Sequence, residues 1–225
     1  MTLTLAEELL LIATNDEKGS LLMAASTAIP YGLAGALLFE LVFHGRLHIM
    51  EGRLVVADRA STGDALTDEA LEMIATHNRE RDAKFWVSRL ARKIKRIDRR
   101  VFEALVAKGI LTRVEKHFLW VVPYQRYPER DPAPERRVRE MLRDLLRGVI
   151  APSEHLLALL GLVLACDLLG DVVPKGERRA AKNVAKEMLQ GERIGKAVAD
   201  VVQEIQTAVI VGVIAATAAS SAASS

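Results

Sequence analysis

Between Lys84 and Arg100 the chain carries eight basic residues: Lys84, Arg89, Arg92, Lys93, Lys95, Arg96, Arg99 and Arg100. Asp98 is the one acid after Lys84, so the segment has a local charge of +7. On a helical wheel, Leu90, Ile94, Ile97, Val101 and Leu105 make an aliphatic stripe, and Arg92, Lys95, Arg96 and Arg99 fall on the opposite face. Stacked cations repel one another unless something anionic lies over them. The chemistry such a face offers is phosphate binding. Each basic residue near an anionic lipid surface is worth about 1 kcal/mol, so the four together supply about 4 kcal/mol, a reversible attraction that needs a second contact to become firm. Nucleic acid is a competing ligand, because Lys108-Gly109-Ile110-Leu111 and a following hairpin read like a recognition helix and wing. Against it, the polar face lacks the Asn, Gln and Ser that read base edges. A solvated face paired with acids elsewhere in the fold is the third reading.

The other reactive residue types form no pattern. The histidines, at 44, 48, 77, 117 and 155, are scattered, and Gly45 should end a helix between His44 and His48, so no metal site is expected. No Walker loop, GxGxxG, HExxH or GxSxG is present. Asp68-Glu69 resembles a paired-carboxylate site, but acids at a helix start are explained by the helix dipole. Cys166, the single cysteine, sits in an apolar run and reads as a small core residue in a reducing compartment. No catalytic residue, cofactor or metal is expected. The net charge is only +2, so attraction to anions must come from local clustering.

The elements that must position these residues are mostly helical. Half of the 225 residues are hydrophobic and only 4% aromatic, a composition that favours helices packed by aliphatic side chains. Thr4 and Glu7 form a capping box that opens the first helix. A second helix is expected from Tyr31 to His44, with Gly32 and Gly35 allowing another backbone to come close. Leu47–Val56 reads as a hairpin turning at Glu51-Gly52, and Ser61-Thr62-Gly63-Asp64 turns into a helix through Asp68-Glu69-Ala70-Leu71. Residues 81–108 read as one long helix or two joined ones, and Ile110–Tyr124 as a second hairpin with Glu115-Lys116 near its tip. Pro134 and Pro152 suit first-turn positions. Leu156–Leu169, apolar on nearly every side, should be a central buried helix closed by Gly170. An amphipathic helix at Glu177–Gln190 and a last helix at Ile194–Ala218 complete the set. The apolar stretch Ala208–Ala219 is about twelve residues, short of the roughly twenty a bilayer span needs, and is expected to be buried; a membrane anchor is the other option. The N-terminus lacks the charged start of a signal peptide. The expected architecture is a mainly α single domain over residues 1–219, a helical bundle around a buried hydrophobic helix with one or two short β-hairpins, and a flexible Ser/Ala tail at 220–225.

Five segments in order resemble the Golgi phosphoprotein family, the phosphatidylinositol-4-phosphate-binding Golgi adaptors and their bacterial relatives. They are Leu3-Thr4-Leu5-Ala6-Glu7-Glu8-Leu9 followed by Asp16-Glu17-Lys18-Gly19; Gly32-Leu33-Ala34-Gly35-Ala36; Phe39-Glu40-Leu41 with Gly45-Arg46-Leu47; Thr62-Gly63-Asp64-Ala65-Leu66 with Asp68-Glu69-Ala70-Leu71; and Leu105-Val106-Ala107-Lys108-Gly109-Ile110-Leu111. The resemblance covers almost the whole chain. It implies a peripheral membrane protein without enzymatic activity that recognises an anionic lipid headgroup and holds protein clients. It further implies a hairpin after Lys108-Gly109-Ile110-Leu111 that mediates homo-oligomers and touches the bilayer. Here that hairpin is Thr112–Tyr124, with Phe118, Trp120, Val122 and Tyr124 alternating on one face. The family's headgroup tryptophan and first arginine fall on Ala25 and Ala34, and its two further arginines near Lys95 and Asp98. General headgroup binding is therefore assigned to Arg92, Lys95, Arg96 and Arg99. The short N-terminus and the Ala-, Arg-, Leu- and Val-rich composition suggest a bacterial member, cytoplasmic and peripheral on the inner membrane surface.

Overall fold

Ten α-helices, a 3-10 turn at Met23–Ala25 and three two-stranded antiparallel pairs account for the regular structure in the computed structural model, which describes residues 2–15, 19–118, 122–190 and 196–222. Helix α1 (Leu5–Ile12) begins at the capping box: Thr4 Oγ1 accepts from the Glu7 amide, and Glu7 Oε2 accepts from the Thr4 amide at 2.8 Å. All eight residues of α1 are buried, Glu7 and Glu8 included. A buried carboxylate is costly unless it is paired, and each of these has a partner from a distant element. Lys108 Nζ donates to Glu7 Oε2 at 2.6 Å, and His155 Nε2 lies 2.6 Å from Glu8 Oε2. The buried Glu40, in turn, takes the Leu5 amide at 2.8 Å. The α1 N-terminus is thus a knot of acids that ties three later segments to the first.

The hydrogen bond to Glu8 raises the pKa of His155 above the ordinary 6.5, burial opposing and the charges of Glu8 and Glu40 assisting. The native state then holds this proton more tightly than the unfolded chain. The resulting stability is fully present below pH 6.5 and is lost as pH rises through the raised native pKa. Urea midpoints measured from pH 6 to pH 9 should therefore fall more in the wild type than in His155→Gln. Parallel curves would mean that the pair contributes nothing.

Helix α2 (Ile29–Phe43) has no polar face, and it is buried because α1 and five later helices pack round it. Short pairs flank it: β1 (Thr14–Asn15) with β2 (Ser20–Leu21), and β3 (Leu47–Met50) with β4 (Arg53–Val56). Glu51 and Gly52 turn the second pair with φ of 51° and 71°, the doubly left-handed turn that suits a two-residue hairpin. Gly32 and Gly35 admit side chains rather than the backbone expected. A Cβ at 32 would lie 2.5 Å from Cys166 Sγ, and one at 35 would lie 2.5 Å from Val209 Cγ2.

Helices α3 (Ala65–Ala75), α4 (Ala83–Lys93) and α5 (Ile97–Ala107) follow, then the hairpin β5 (Val114–Phe118) and β6 (Val122–Arg126). Glu115 and Lys116 pair within that hairpin instead of capping it; its turn, at 119–121, lies outside the described residues. In α6 (Ala133–Leu146) Pro134 is in the first turn, as expected. Pro152 instead precedes the N-cap Ser153 of α7 (Glu154–Ala165), because Ser153 Oγ supplies the cap. Helix α7, apolar from Leu156 on, is the second core helix, but it is shorter than the sequence suggests. Asp167 turns left-handed with φ 56°, which a short polar side chain tolerates, and Gly170 falls inside the next helix, α8 (Leu169–Val172).

Amphipathic α9 (Arg178–Gln190) and α10 (Lys196–Ala222) close the chain. The last helix departs most from expectation. It runs to Ala222, into the segment expected to be a flexible tail, and most of its apolar second half is not buried. The burial expected of Ala208–Ala219 holds for its first part alone: Ala208, Val209 and Gly212 are buried with Val202 and Ile205, and from Ile214 on no described residue is.

Candidate anion-binding site

The basic run is not one helix. Ile94 leaves the helical region with ψ 102°, and Arg96 is left-handed at φ 52° and ψ 46°. The aliphatic stripe survives the break, since Leu90, Ile94, Ile97, Val101 and Leu105 are all buried. Packing thus keeps the stripe continuous while the backbone turns, and the turn splits the four-cation stack that a continuous wheel implies. Arg92 stays on α4, donating from Nε to the Ser88 carbonyl at 2.9 Å, and faces a cleft of mixed charge with Arg81, Asp82 and Lys84.

Lys95, Arg96 and Arg99 come together instead. With Arg100, Glu103 and Ala104 they line one side of a cleft of about 490 Å³, and Asp64, Ala65 and Leu66 at the start of α3 line the other. The acids in the cleft are occupied. Asp64 is the N-cap of α3, accepting from the amide and hydroxyl of Thr67 at 2.8 and 2.7 Å. Glu103 pairs with Arg113 at 3.4 Å and accepts from the Tyr127 hydroxyl at 3.1 Å. Arg100 is ion-paired to Glu69. Among the described residues, Lys95, Arg96 and Arg99 form no ion pair with any carboxylate. Lys95 and Arg96 are exposed, and Arg99 is half-buried beside Tyr127. The cleft therefore keeps three cations that form no ion pair among the described residues, with the Asp64 carboxylate on the facing wall, a net positive excess over a short left-handed turn that suits an anion. The wall from α3 gave no signal in the sequence, because nothing in Asp64-Ala65-Leu66 marks it as facing the basic turn.

Arg99 also borders a second cleft of about 660 Å³, between Gly19-Ser20-Leu21, the start of α5 and the hairpin. Asp98 stands in it, putting a negative charge where the family resemblance places an arginine. Ala25 and Ala34, on which the resemblance places the family's tryptophan and first arginine, are buried alanines. Of the hairpin residues, Tyr124 lines this second cleft and has the Arg126 guanidinium 5.1 Å from its ring centre. The side chains of Phe118, Trp120 and Val122 lie outside the described residues.

The remaining sequence candidates are structural. Asp68 accepts from Ser61 Oγ, the Thr62 amide and Thr62 Oγ1 at 2.5, 2.7 and 2.7 Å, which fixes the loop into α3, and its neighbour Glu69 holds Arg100. Burial pushes the Cys166 thiol up to about 12, a direction opposite to that of a nucleophile. Among the described residues no three His, Cys, Asp or Glu side chains gather as a metal site.

Two fungal proteins, both named vacuolar protein sorting-associated protein 74, are similar to this chain. The one from Schizosaccharomyces pombe is 33% identical over 137 residues, 52% of this chain and 40% of its own length. The one from Eremothecium gossypii is 28% identical over 173 residues, 67% of this chain and 50% of its own length. The matched stretch thus spans half or less of these relatives. The family model for Golgi phosphoprotein 3 (GPP34) matches residues 5–205, from the capped acid knot of α1 through the basic turn to the packed half of α10. The chain belongs to the Golgi phosphoprotein 3 (GPP34) family.

Proposed function

We propose that this chain is a peripheral membrane adaptor without enzymatic activity that docks on anionic lipid headgroups through Lys95, Arg96 and Arg99. The carrying observation is the cleft at the α4–α5 break, where these three cations converge with no carboxylate partner among the described residues. Arg92 adds to the field from the neighbouring face. A phosphatidylinositol-4-phosphate-like headgroup fits the charge, but Ala25, Ala34 and Asp98 supply neither an aromatic platform nor a second guanidinium fork, so the reading favours anionic lipid in general. In a bacterial cell, which has no Golgi, the surface in question is the cytoplasmic face of the inner membrane. A protein client and homo-oligomers through the β5–β6 hairpin belong to the same reading; a monomeric mass by light scattering would remove the oligomer.

Neutralising Lys95 and Arg96 together to glutamine removes about 2 kcal/mol of surface attraction, so binding to anionic vesicles should weaken about 30-fold. Co-sedimentation with neutral, phosphatidylserine-containing and phosphatidylinositol-4-phosphate-containing vesicles reads this out. An unchanged affinity in the double variant would sink the assignment, and binding to the phosphoinositide vesicles alone would restore headgroup specificity. The nucleic-acid alternative is weakened by α5 itself: its cations, Arg99 and Arg100, crowd the first turn beside Asp98, and the one charge further along is the acid Glu103.

A further inference from the structure

The outer stripe of α10 changes character half-way along. In the first half it presents Asp200, Gln203 and Thr207, as a solvated helix should. The same stripe then continues with Ile210, 38% exposed, and Ile214, 61% exposed. From Ile214 to Ala222 no residue is buried, and between Ile205 and Ala222 there is no charged side chain. The family match ends at residue 205, just before this segment begins.

The position of this end in the fold says what it meets. Glu204 shares a cleft with Val42, near the end of α2, and with Asp82, at the start of α4. Further along, Val209 lies against Gly35, and Gly212 against Tyr31, near the start of α2. So α10 runs antiparallel to α2 and alongside α4, and it leaves the core where α4 ends in Arg92, Lys93 and the basic turn. Met23, 92% exposed, lies on the turn that enters α2 at the same end. Beyond Gly212 the helix continues for ten residues, about 15 Å, or one leaflet of a hydrocarbon core about 30 Å thick. Its hydroxyls are satisfied within the helix: Thr217 Oγ1 donates to the Ile214 carbonyl at 2.9 Å, and Ser220 and Ser221 donate to the carbonyls of Thr217 and Ala218, each at 2.9 Å. An uncharged helix with its polar groups bonded internally can enter hydrocarbon without stranding a donor.

We infer that the last turns of α10, from Ile214 onward, insert into the acyl-chain layer of the membrane that the basic end of the molecule faces. The inference deepens the membrane-surface reading and rests on it for the choice of membrane. It also supplies the second contact that three or four cations need to hold firmly. Insertion is to the depth of one leaflet, because the first half of the helix is fixed in the core.

The test is an environment-sensitive fluorophore on Ala218→Cys. Cys166 is 2% exposed, so the new thiol is the one that labels in the native chain. With mixed phosphatidylcholine–phosphatidylserine vesicles, emission should shift to the blue and be quenched by brominated acyl chains. Adding Ile214→Gln should weaken partition about tenfold. Sedimentation with these vesicles and no spectral change would overturn insertion and leave the headgroup reading standing. Equal spectral change on pure phosphatidylcholine vesicles would support insertion and remove the role of the cations. Neither sedimentation nor spectral change would overturn both. A blue shift without lipid, rising with protein concentration alongside a doubled mass, would show that a second copy covers the helix and would overturn insertion.

Discussion

Replacing Lys108 with methionine should destabilise the chain by about 3 kcal/mol. Glu7 is 3% exposed and lies in a helix whose every residue is buried. Its carboxylate has two donors, the Thr4 amide at 2.8 Å and Lys108 Nζ at 2.6 Å, and the lysine also reaches the Thr2 carbonyl at 3.1 Å. Methionine keeps the aliphatic stem and removes the charge, leaving the carboxylate buried beside an apolar group. Removing one partner of a buried pair costs about 3–5 kcal/mol, and the partial exposure of Lys108 places this case at the low end. Urea denaturation would read the loss as a lowered midpoint with an unchanged slope. The double variant Glu7→Gln with Lys108→Met should recover part of it, since no charge is then buried. A single-variant loss below about 1 kcal/mol would mean that the pair is worth no more than an exposed surface bridge.

Gly35→Leu should cost a similar amount by a different route. The hydrogen on Gly35 faces Val209 Cγ2, which a Cβ would approach to 2.5 Å, with Leu162 Cδ2 at 3.0 Å. Three helices, α2, α7 and α10, meet there with no space for a methyl group. Overpacking a filled core costs about 1–3 kcal/mol, and a whole leucine side chain at a three-helix crossing belongs at the upper end, about 3 kcal/mol. In a chain of this size that lowers Tm by roughly 6 °C. The strain should be relieved by displacing α10, the least anchored of the three, so limited proteolysis should cut between α9 and α10 sooner than in the wild type. A fall in Tm with unchanged proteolysis would show that α2 or α7 moves instead.

What the sequence made legible follows from where the signals were local. The capping box at Thr4, the Glu51-Gly52 turn and the Asp64 start of α3 each rest on residues within four positions of one another, and each appears as read. The aliphatic stripe from Leu90 to Leu105 was also correct in content. Its continuity leaves one long helix and two joined ones both open, because a hydrophobic wheel records which residues are buried and not whether the backbone between them is straight. Arg96 at a left-handed position is invisible to periodicity, and it decides which cations share a cleft. Long-range pairings were beyond reach for a related reason: Lys108 with Glu7, Glu69 with Arg100 and Glu40 with Leu5 join residues 31 to 101 positions apart. The helix α10 reaches Ala222, four residues past the expected Ala218, because alanine keeps helix propensity where a run of alanine and serine reads as tail.

The left-handed backbone at Arg96 sets two pressures against each other. Glycine would relax φ 52° at no steric cost, and the same replacement would take a guanidinium out of the cleft. Position 96 is therefore a point where the chain cannot become sturdier without becoming less positive, and the arginine found there marks which of the two this sequence has kept.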